Sequence, residues 1–278
     1  MNLSYAWRLY ESDKRLARYA DTTLDAYRLQ AKLLMQHVGD IKLDALDLPT
    51  IKDYLISLSH LTPMSLTHRI KFLRSMLRWA SDEGYIQKNP IAKLKDPKLG
   101  KRLPKALDIE SIEILRDSCK TSFERSLIEF LHSTGCRLDE VYNLNRTSLN
   151  MTNLSIVVIG KGDREREVYF SIICRLWLNR YLASRKDNDT ALFVTERMPH
   201  RMSKAQLRFI VKKIADRTDI SVSVYPHRFR HSYATHLLDK GCPLEAISDF
   251  LGHARISTTK IYAQLSSARR SEIYKRYF

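Results

Sequence analysis

The sequence predicts a mostly α-helical chain in two domains, the first all-helical, the second mainly helical with a small antiparallel sheet. Three observations carry this expectation. Apolar residues keep helical spacing through residues 22–82. A basic run over residues 93–107 holds two prolines, a glycine, five lysines and one arginine, and reads as a linker. One stretch only, LSIVVIGKGDREREVYFS, has two β-rich runs around a Gly-Lys-Gly-Asp turn, the pattern of a hairpin. The expected division is therefore 1–92, a linker at 93–107, and 108–278.

Composition bounds the function. At 278 residues, two domains are the natural expectation. With 44% hydrophobic residues, 8 Gly and 8 Pro, the chain can bury cores and is not of disordered type. Lys plus Arg number 47 against 31 Asp plus Glu, a net charge of +16. Such a surface attracts polyanions: nucleic acid first, an anionic membrane second. A merely solvated basic face is the competing reading. Membrane spans are not expected, because no 18-residue apolar run occurs. The N-terminus MNLSYAWRLYESDKRLARY is charged throughout and lacks an apolar signal core. Cys119, Cys136, Cys174 and Cys242 are scattered, which suits reduced thiols in a cytoplasm better than a disulfide frame or zinc knuckle.

In the first domain, Thr22 or Thr23 is expected to cap a helix through Leu24, Tyr27, Ala31, Leu34, Met35 and Val38, ended by Gly39-Asp40. LPTIKDYLISLSH starts a second helix at Pro49-Thr50. SLTHRIKFLRSMLRWASDEGYI carries the clearest stripe, Leu66, Ile70, Leu73, Leu77 and Ala80. Arg69, Lys71, Arg74 and Arg78 project from its other sides, and Asn89-Pro90 is expected to stop the pattern. In the second domain, IESIEILRDSCK and SFERSLIEFLHSTG read as helices ahead of the hairpin. After the hairpin the pattern reads as helical to the end. One such helix begins near Ser203, with Lys204, Arg208 and Lys212 on one face and Leu207, Ile210, Val211 and Ile214 inward. Both basic helix faces are candidates for a DNA groove.

Four short stretches could carry chemistry. STGCRLDE places Arg137 three residues before Glu140, by itself an ordinary helix pair. The hairpin turn places Lys161 between glycines at an exposed tip. In YPHRFRHSYATHLL, a helix entered at Tyr225-Pro226 puts His227 and Arg230 on one face. Three histidines there do not make a metal site: H-E-x-x-H is missing and no carboxylate stands at ligand spacing. His236 reads as a structural histidine beside Tyr233 and Leu237. Finally, LGHARISTTKIYAQL places His253 nine residues before Tyr262, behind a Ser-Thr-Thr run.

Taken together and in this order, these stretches resemble the tyrosine recombinases of the phage integrase family. The likeness rests on T-G-x-R-x-x-E at Gly135, Arg137 and Glu140, a hairpin lysine at Lys161, H-x-x-R-H at His227, Arg230 and His231, L-G-H at His253, and T-T-x-x-Y at Tyr262. It covers the whole second domain. The resemblance implies that the first domain is a SAM-like core-binding domain and the second the catalytic domain.

A tyrosine phenol has a pKa of about 10 and is a poor nucleophile at neutral pH without help. The resemblance implies that Tyr262 attacks a DNA phosphodiester. Arg137 and Arg230 would clamp the phosphate oxygens, since a guanidinium is always charged and offers a planar fork. Lys161 would protonate the leaving 5′ oxygen, His227 would assist with the Tyr262 proton, His253 would bond the phosphate, and Glu140 would support the site. The product is a 3′-phosphotyrosyl link that a second strand can reseal, passing through a Holliday junction. No metal, ATP or other cofactor is implied. The implied partners are double-stranded DNA with short inverted-repeat core sites and three further copies of the chain, a homo-tetramer on two DNA sites. Accessory proteins stay open, and so does the choice among integration, resolution and inversion. A bacterial, phage or mobile-element cytoplasm is the expected setting. The helical pattern begins within about 20 residues of Met1, which leaves no room for an extra N-terminal arm-binding domain and suggests the simple Xer-like, Cre-like or resolvase type. The tail SSARRSEIYKRYF, residues 266–278, carries an apolar edge that either packs on its own domain or docks on a neighbour. A type IB topoisomerase and a non-catalytic DNA-binding regulator are the alternatives.

Overall fold

The computed structural model describes residues 1–98, 106–160 and 165–252. The chain divides into two compact units, Met1–Arg102 and Leu103–Phe278.

The first unit is built of helices α1 (Leu3–Leu16), α2 (Asp21–Val38), α3 (Leu48–Ser57) and α4 (Pro63–Asp82). Pro49 sits in the first turn of α3 and Pro63 in that of α4, where a missing N–H costs nothing, and the side chains of Asp47 and Thr62 accept the first orphan amides. Their buried faces meet in one core that includes Trp7, Tyr10, Leu34, Ile51, Phe72, Leu73, Met76 and Trp79. The Tyr10 hydroxyl, carried into that core, bonds Ser75 Oγ at 2.6 Å. The expected α4 stripe holds: Ile70, Leu73, Leu77 and Ala80 are buried, and Leu66 is partly buried against the same core.

Two boundaries differ from expectation. Thr22 and Thr23 do not cap α2; the N-cap is Ala20, and Asp21 enters the first turn. A carboxylate there is favoured by the positive end of the helix dipole, so the helix starts earlier without a hydroxyl cap. α4 stops at Asp82, well before Asn89-Pro90. Gly84 at φ 76° turns the chain, and the amides of Tyr85 and Ile86 both return to the Ala80 carbonyl.

The second unit is organised around α6 (Ser122–Thr134), which is buried nearly all round. Helices α5 (Ile109–Asp117), α8 (Ile172–Ser184), α9 (Lys204–Ala215) and α10 (Pro226–Asp239) pack against it. Its two buried carboxylates are paired: Glu129 with Arg116 (2.6 Å) and Arg125 (2.9 Å), and Glu124 with Arg217 (2.6 Å). Short α7 (Leu138–Asn143) follows α6, and α11 (Leu244–Leu251) follows α10.

The sheet is antiparallel in the order β1 (Leu149–Asn150), β2 (Ser155–Ile159), β3 (Glu165–Tyr169). β2 and β3 are the two runs expected from the sequence; β1, a two-residue strand, was not. The register pairs Ile156 with Val168 and Val158 with Arg166. Ile156, Val158 and Val168 face the core, and period-two alternation turns Arg166 the same way.

The expectation of helix from β3 to the end is corrected between α8 and α9. Residues 185–203 are irregular, tied by bridges between Asn145 and Ala191 and between Val194 and Arg201. The Arg185 guanidinium grips Asp187 and the carbonyls of Asp189, Ala191 and Leu192, which satisfies this backbone without a helix.

Candidate functional site

The site begins where α6 ends. Gly135 closes that helix in the left-handed region at φ 58°. A side chain could not stand there: a Cβ would lie 2.6 Å from Cδ1 of Tyr233. The chain then reverses into α7 with Arg137 as N-cap and Glu140 in the first turn. Glu140 Oε2 accepts the Arg137 backbone N–H at 2.6 Å, and Oε1 accepts Arg137 Nη1 at 3.0 Å. One carboxylate thus fixes both the backbone and the guanidinium of Arg137.

Arg230 comes from α10, which Tyr225-Pro226 starts as the sequence indicates. It is buried at 1% exposure. Nη1 donates to the Gly135 carbonyl at 2.8 Å and Nη2 to the Leu251 carbonyl at 2.5 Å. His227 lies one turn earlier on the same helix, more exposed. Its pKa falls below the ordinary imidazole value, first because the surrounding protein desolvates it, then because the charges of Arg230 and Arg137 oppose a third.

The third component is the end of α11. The last carbonyls of a helix lack intrahelical partners and form the negative end of its dipole. Here guanidiniums meet them. Phe250 O accepts Arg166 Nε at 2.9 Å, Leu251 O accepts both Arg230 and Arg137 (3.3 Å), and Gly252 O accepts Arg137 Nη2 at 3.3 Å. Gly252, at φ 59°, closes the helix, and a Cβ on it would sit 2.8 Å from Arg166 Cδ.

Arg166 was not singled out from the sequence. Its Nη1 and Nη2 bond Glu140 Oε1 and Oε2 at 2.7 and 2.8 Å. Burial alone would raise the Glu140 pKa, but the hydrogen bonds and charge of Arg166, followed by Arg137, hold it below the usual carboxylate range. The signal available in the sequence was an arginine two residues before Val168, on the inward face of a strand.

Of the expected site residues, the fold brings Arg137, Glu140, His227 and Arg230 together. Lys161, His253 and Tyr262 lie outside the described residues, as does the 266–278 tail. Arg69, Lys71, Arg74 and Arg78 lie along α4 in the first unit. Lys71 and Arg78 are exposed, whereas Arg69 bonds Gln30 and Arg74 bonds Asp96 (2.8 Å) and the Leu94 carbonyl. On α9, Arg208 and Lys212 are exposed and Lys204 pairs with Asp139 at 2.7 Å. His236 is half-buried and bonds the Leu107 carbonyl at 2.8 Å, the structural role expected of it. Among the described residues, no three of His, Cys, Asp and Glu converge as metal ligands, and no helix is long and apolar enough to cross a membrane.

The phage integrase family matches residues 105–269. The tyrosine recombinase XerC of Proteus mirabilis is 30% identical over 269 residues, covering 92% of this chain and 88% of that protein. That of Mannheimia succiniciproducens is 31% identical over 282 residues, covering 96% and 94%. Among solved structures, a lambda integrase dimer bound to a COC′ core site superposes with a TM-score of 0.80 at 16% identity, covering 93% of this chain and 97% of that one. XerH recombinase bound to its difH substrate gives 0.71 at 22% identity, covering 92% and 79%. These two are likenesses of fold.

Proposed function

The chain belongs to the phage integrase family, and on that premise we propose that it is a site-specific DNA recombinase with Tyr262 as nucleophile. The observation that carries this reading is the meeting of Arg137 and Arg230 on one carbonyl at the end of α11. Two fixed guanidiniums converging on one oxygen form a ready receptor for an oxyanion. They stand at the helix that leads, in sequence, to His253 and Tyr262.

In the proposed reaction, the scissile phosphate takes up Arg137 and Arg230 through its non-bridging oxygens. The Tyr262 oxygen forms a bond to phosphorus as the bond to the 5′ oxygen breaks. His227 takes part in removing the phenol proton; its depressed pKa keeps the imidazole neutral and able to accept. Lys161 delivers a proton to the departing 5′ oxygen, and His253 bonds the phosphate. The link retains the phosphodiester's energy, so a 5′ hydroxyl of a second strand reverses the step without ATP. The reading includes double-stranded DNA with short inverted-repeat sites and a homo-tetramer joining two of them. The first unit serves as core-binding domain and the second as catalytic domain, in a bacterial or mobile-element cytoplasm.

The test uses Tyr262→Phe to select DNA from a random-sequence duplex pool. A duplex of the selected site, nicked beside the scissile bond, is then offered to the wild-type chain. A covalent protein–DNA product, lost in Tyr262→Phe and kept in excess EDTA, supports the reading. Adduct surviving in Tyr262→Phe removes the nucleophile assignment. Loss in EDTA with recovery in Mg²⁺ favours a metal nuclease. Strand joining between two duplexes separates recombination from topoisomerase action, and binding without any adduct leaves a regulator.

A further inference from the structure

All three guanidinium nitrogens of Arg166 have an acceptor within the protein. Nη1 and Nη2 hold the two oxygens of Glu140, and Nε holds the Phe250 carbonyl. Its side chain is 11% exposed and that of Glu140 2%, against 32% for Arg137. Its direct bonds are to Glu140 and to the last turn of α11, so these neighbours are the route by which it can act on the site.

The neighbours make a charge triplet, Arg137–Glu140–Arg166. A buried carboxylate requires one partner cation; this one has two, and the shorter guanidinium contacts are those of Arg166. With a single partner, Glu140 would cancel the charge of Arg137 and compete with a phosphate for its N–H groups. With Arg166 in place the triplet carries one net positive charge, and Arg137 holds the more open end. The same side chain bonds the last turn of α11 and fills the space a side chain at Gly252 would need. It stands in β3, five residues after Lys161 in sequence.

We propose that Arg166 is a positioning residue that neutralises Glu140 and so leaves the charge of Arg137 available to the scissile phosphate. The inference rests on the recombinase reading above.

The experiment measures covalent product formation on the nicked duplex at saturating protein, with half-site affinity and thermal melting alongside. Arg166→Met brings the triplet to zero charge and should slow product formation by about 100-fold or more while half-site affinity changes little. Adding Glu140→Gln to that variant returns the triplet to one positive charge and should recover at least about tenfold of the rate. Arg166→Lys keeps the charge without the two-oxygen grip, and should stay much faster than Arg166→Met; it also serves if the Met variant does not fold. Failure of the double variant to exceed Arg166→Met, or a Lys variant as slow as the Met variant, overturns the charge-balancing role. An Arg166→Met variant as fast as wild type overturns the inference alone. A wild-type chain that forms no covalent product overturns the recombinase reading, and this inference with it.

Discussion

Arg137 and Arg230 donate to the same acceptor, the carbonyl oxygen of Leu251, at 3.3 and 2.5 Å. One arrives at the start of α7 and the other from within α10. Their shared oxygen is a fixed point at the end of a third helix. The two are not equivalent, however. Arg137 keeps a side open to solvent, while Arg230 is enclosed.

That difference predicts different costs of removal. Arg137→Ala should abolish most covalent product formation with little loss of thermal stability. Arg230→Ala should do the same to the reaction and in addition destabilise the domain, because the Gly135 and Leu251 carbonyls lose a buried donor at about 1–3 kcal/mol each. Chemical denaturation read beside the cleavage assay checks this. Equal stability of the two variants would show that water replaces the Arg230 guanidinium.

Gly135→Ala tests the turn that places Arg137. An L-residue at φ 58° costs about 1–2 kcal/mol, and the new Cβ meets the Tyr233 ring. The expected result is a loss of at least about 2 kcal/mol in denaturant unfolding together with slower cleavage. Tyr233→Leu in the same chain should relieve the clash and leave the backbone strain. A Gly135→Ala variant as stable as wild type would mean that the turn relaxes at no cost.

The helical stripes of α4, α6 and α9 were legible because each is an amphipathic or buried run with a 3.6-residue period and a recognisable start. Arg137, Glu140, His227 and Arg230 were legible as a set only through their order along the chain. Singly, each looked like an ordinary helix residue. Arg166 was not legible, because its meaning comes from Glu140 in another element and from the carbonyl of Phe250 in a third. β1 is two residues long and has no periodicity to detect. The irregular 185–203 segment is held by one arginine collecting carbonyls, a tertiary arrangement with no local pattern. Arg69 and Arg74 show the opposite case: projecting from the α4 stripe in sequence, they are engaged by Gln30, Leu94 and Asp96 in the fold.

His132 predicts how stability depends on pH. Burial, then the charges of Arg116, His236 and Lys240, push it down to about 3 from an ordinary 6.5. The unfolded chain therefore binds a proton at this site that the folded one refuses. Stability from this group is complete above about pH 6.5 and is lost as pH falls toward 3, by up to about 1.4 kcal/mol per pH unit. His227 and His236, also lowered, act in the same direction. Urea midpoints between about pH 7 and 4.5 should fall steadily in the wild type and less steeply in His132→Gln. Parallel slopes would place the acid sensitivity elsewhere.

The basic face of α4 gives the last prediction. A groove of about 690 Å³ in the first unit is lined by Lys14, Lys71, Arg74, Arg78 and Trp79, and also by Asp13, Asp82 and Glu83. Only some of these cations are available to a phosphate backbone. Arg74 is committed to Leu94 and Asp96, so Arg74→Ala should weaken the unit's own packing as well as any DNA contact. Lys71 and Arg78 are exposed and carry no such burden. If both reach phosphates, Lys71→Ala with Arg78→Ala should lower the slope of log affinity against log salt by about 2, at unchanged melting temperature. The corresponding change on α9, Arg208→Ala with Lys212→Ala, provides the comparison within the second unit. Steeply salt-dependent binding with an unchanged slope in the Lys71/Arg78 variant would take the DNA off this face of α4. A reduced slope only in the α9 variant would assign the phosphate contacts to the second unit.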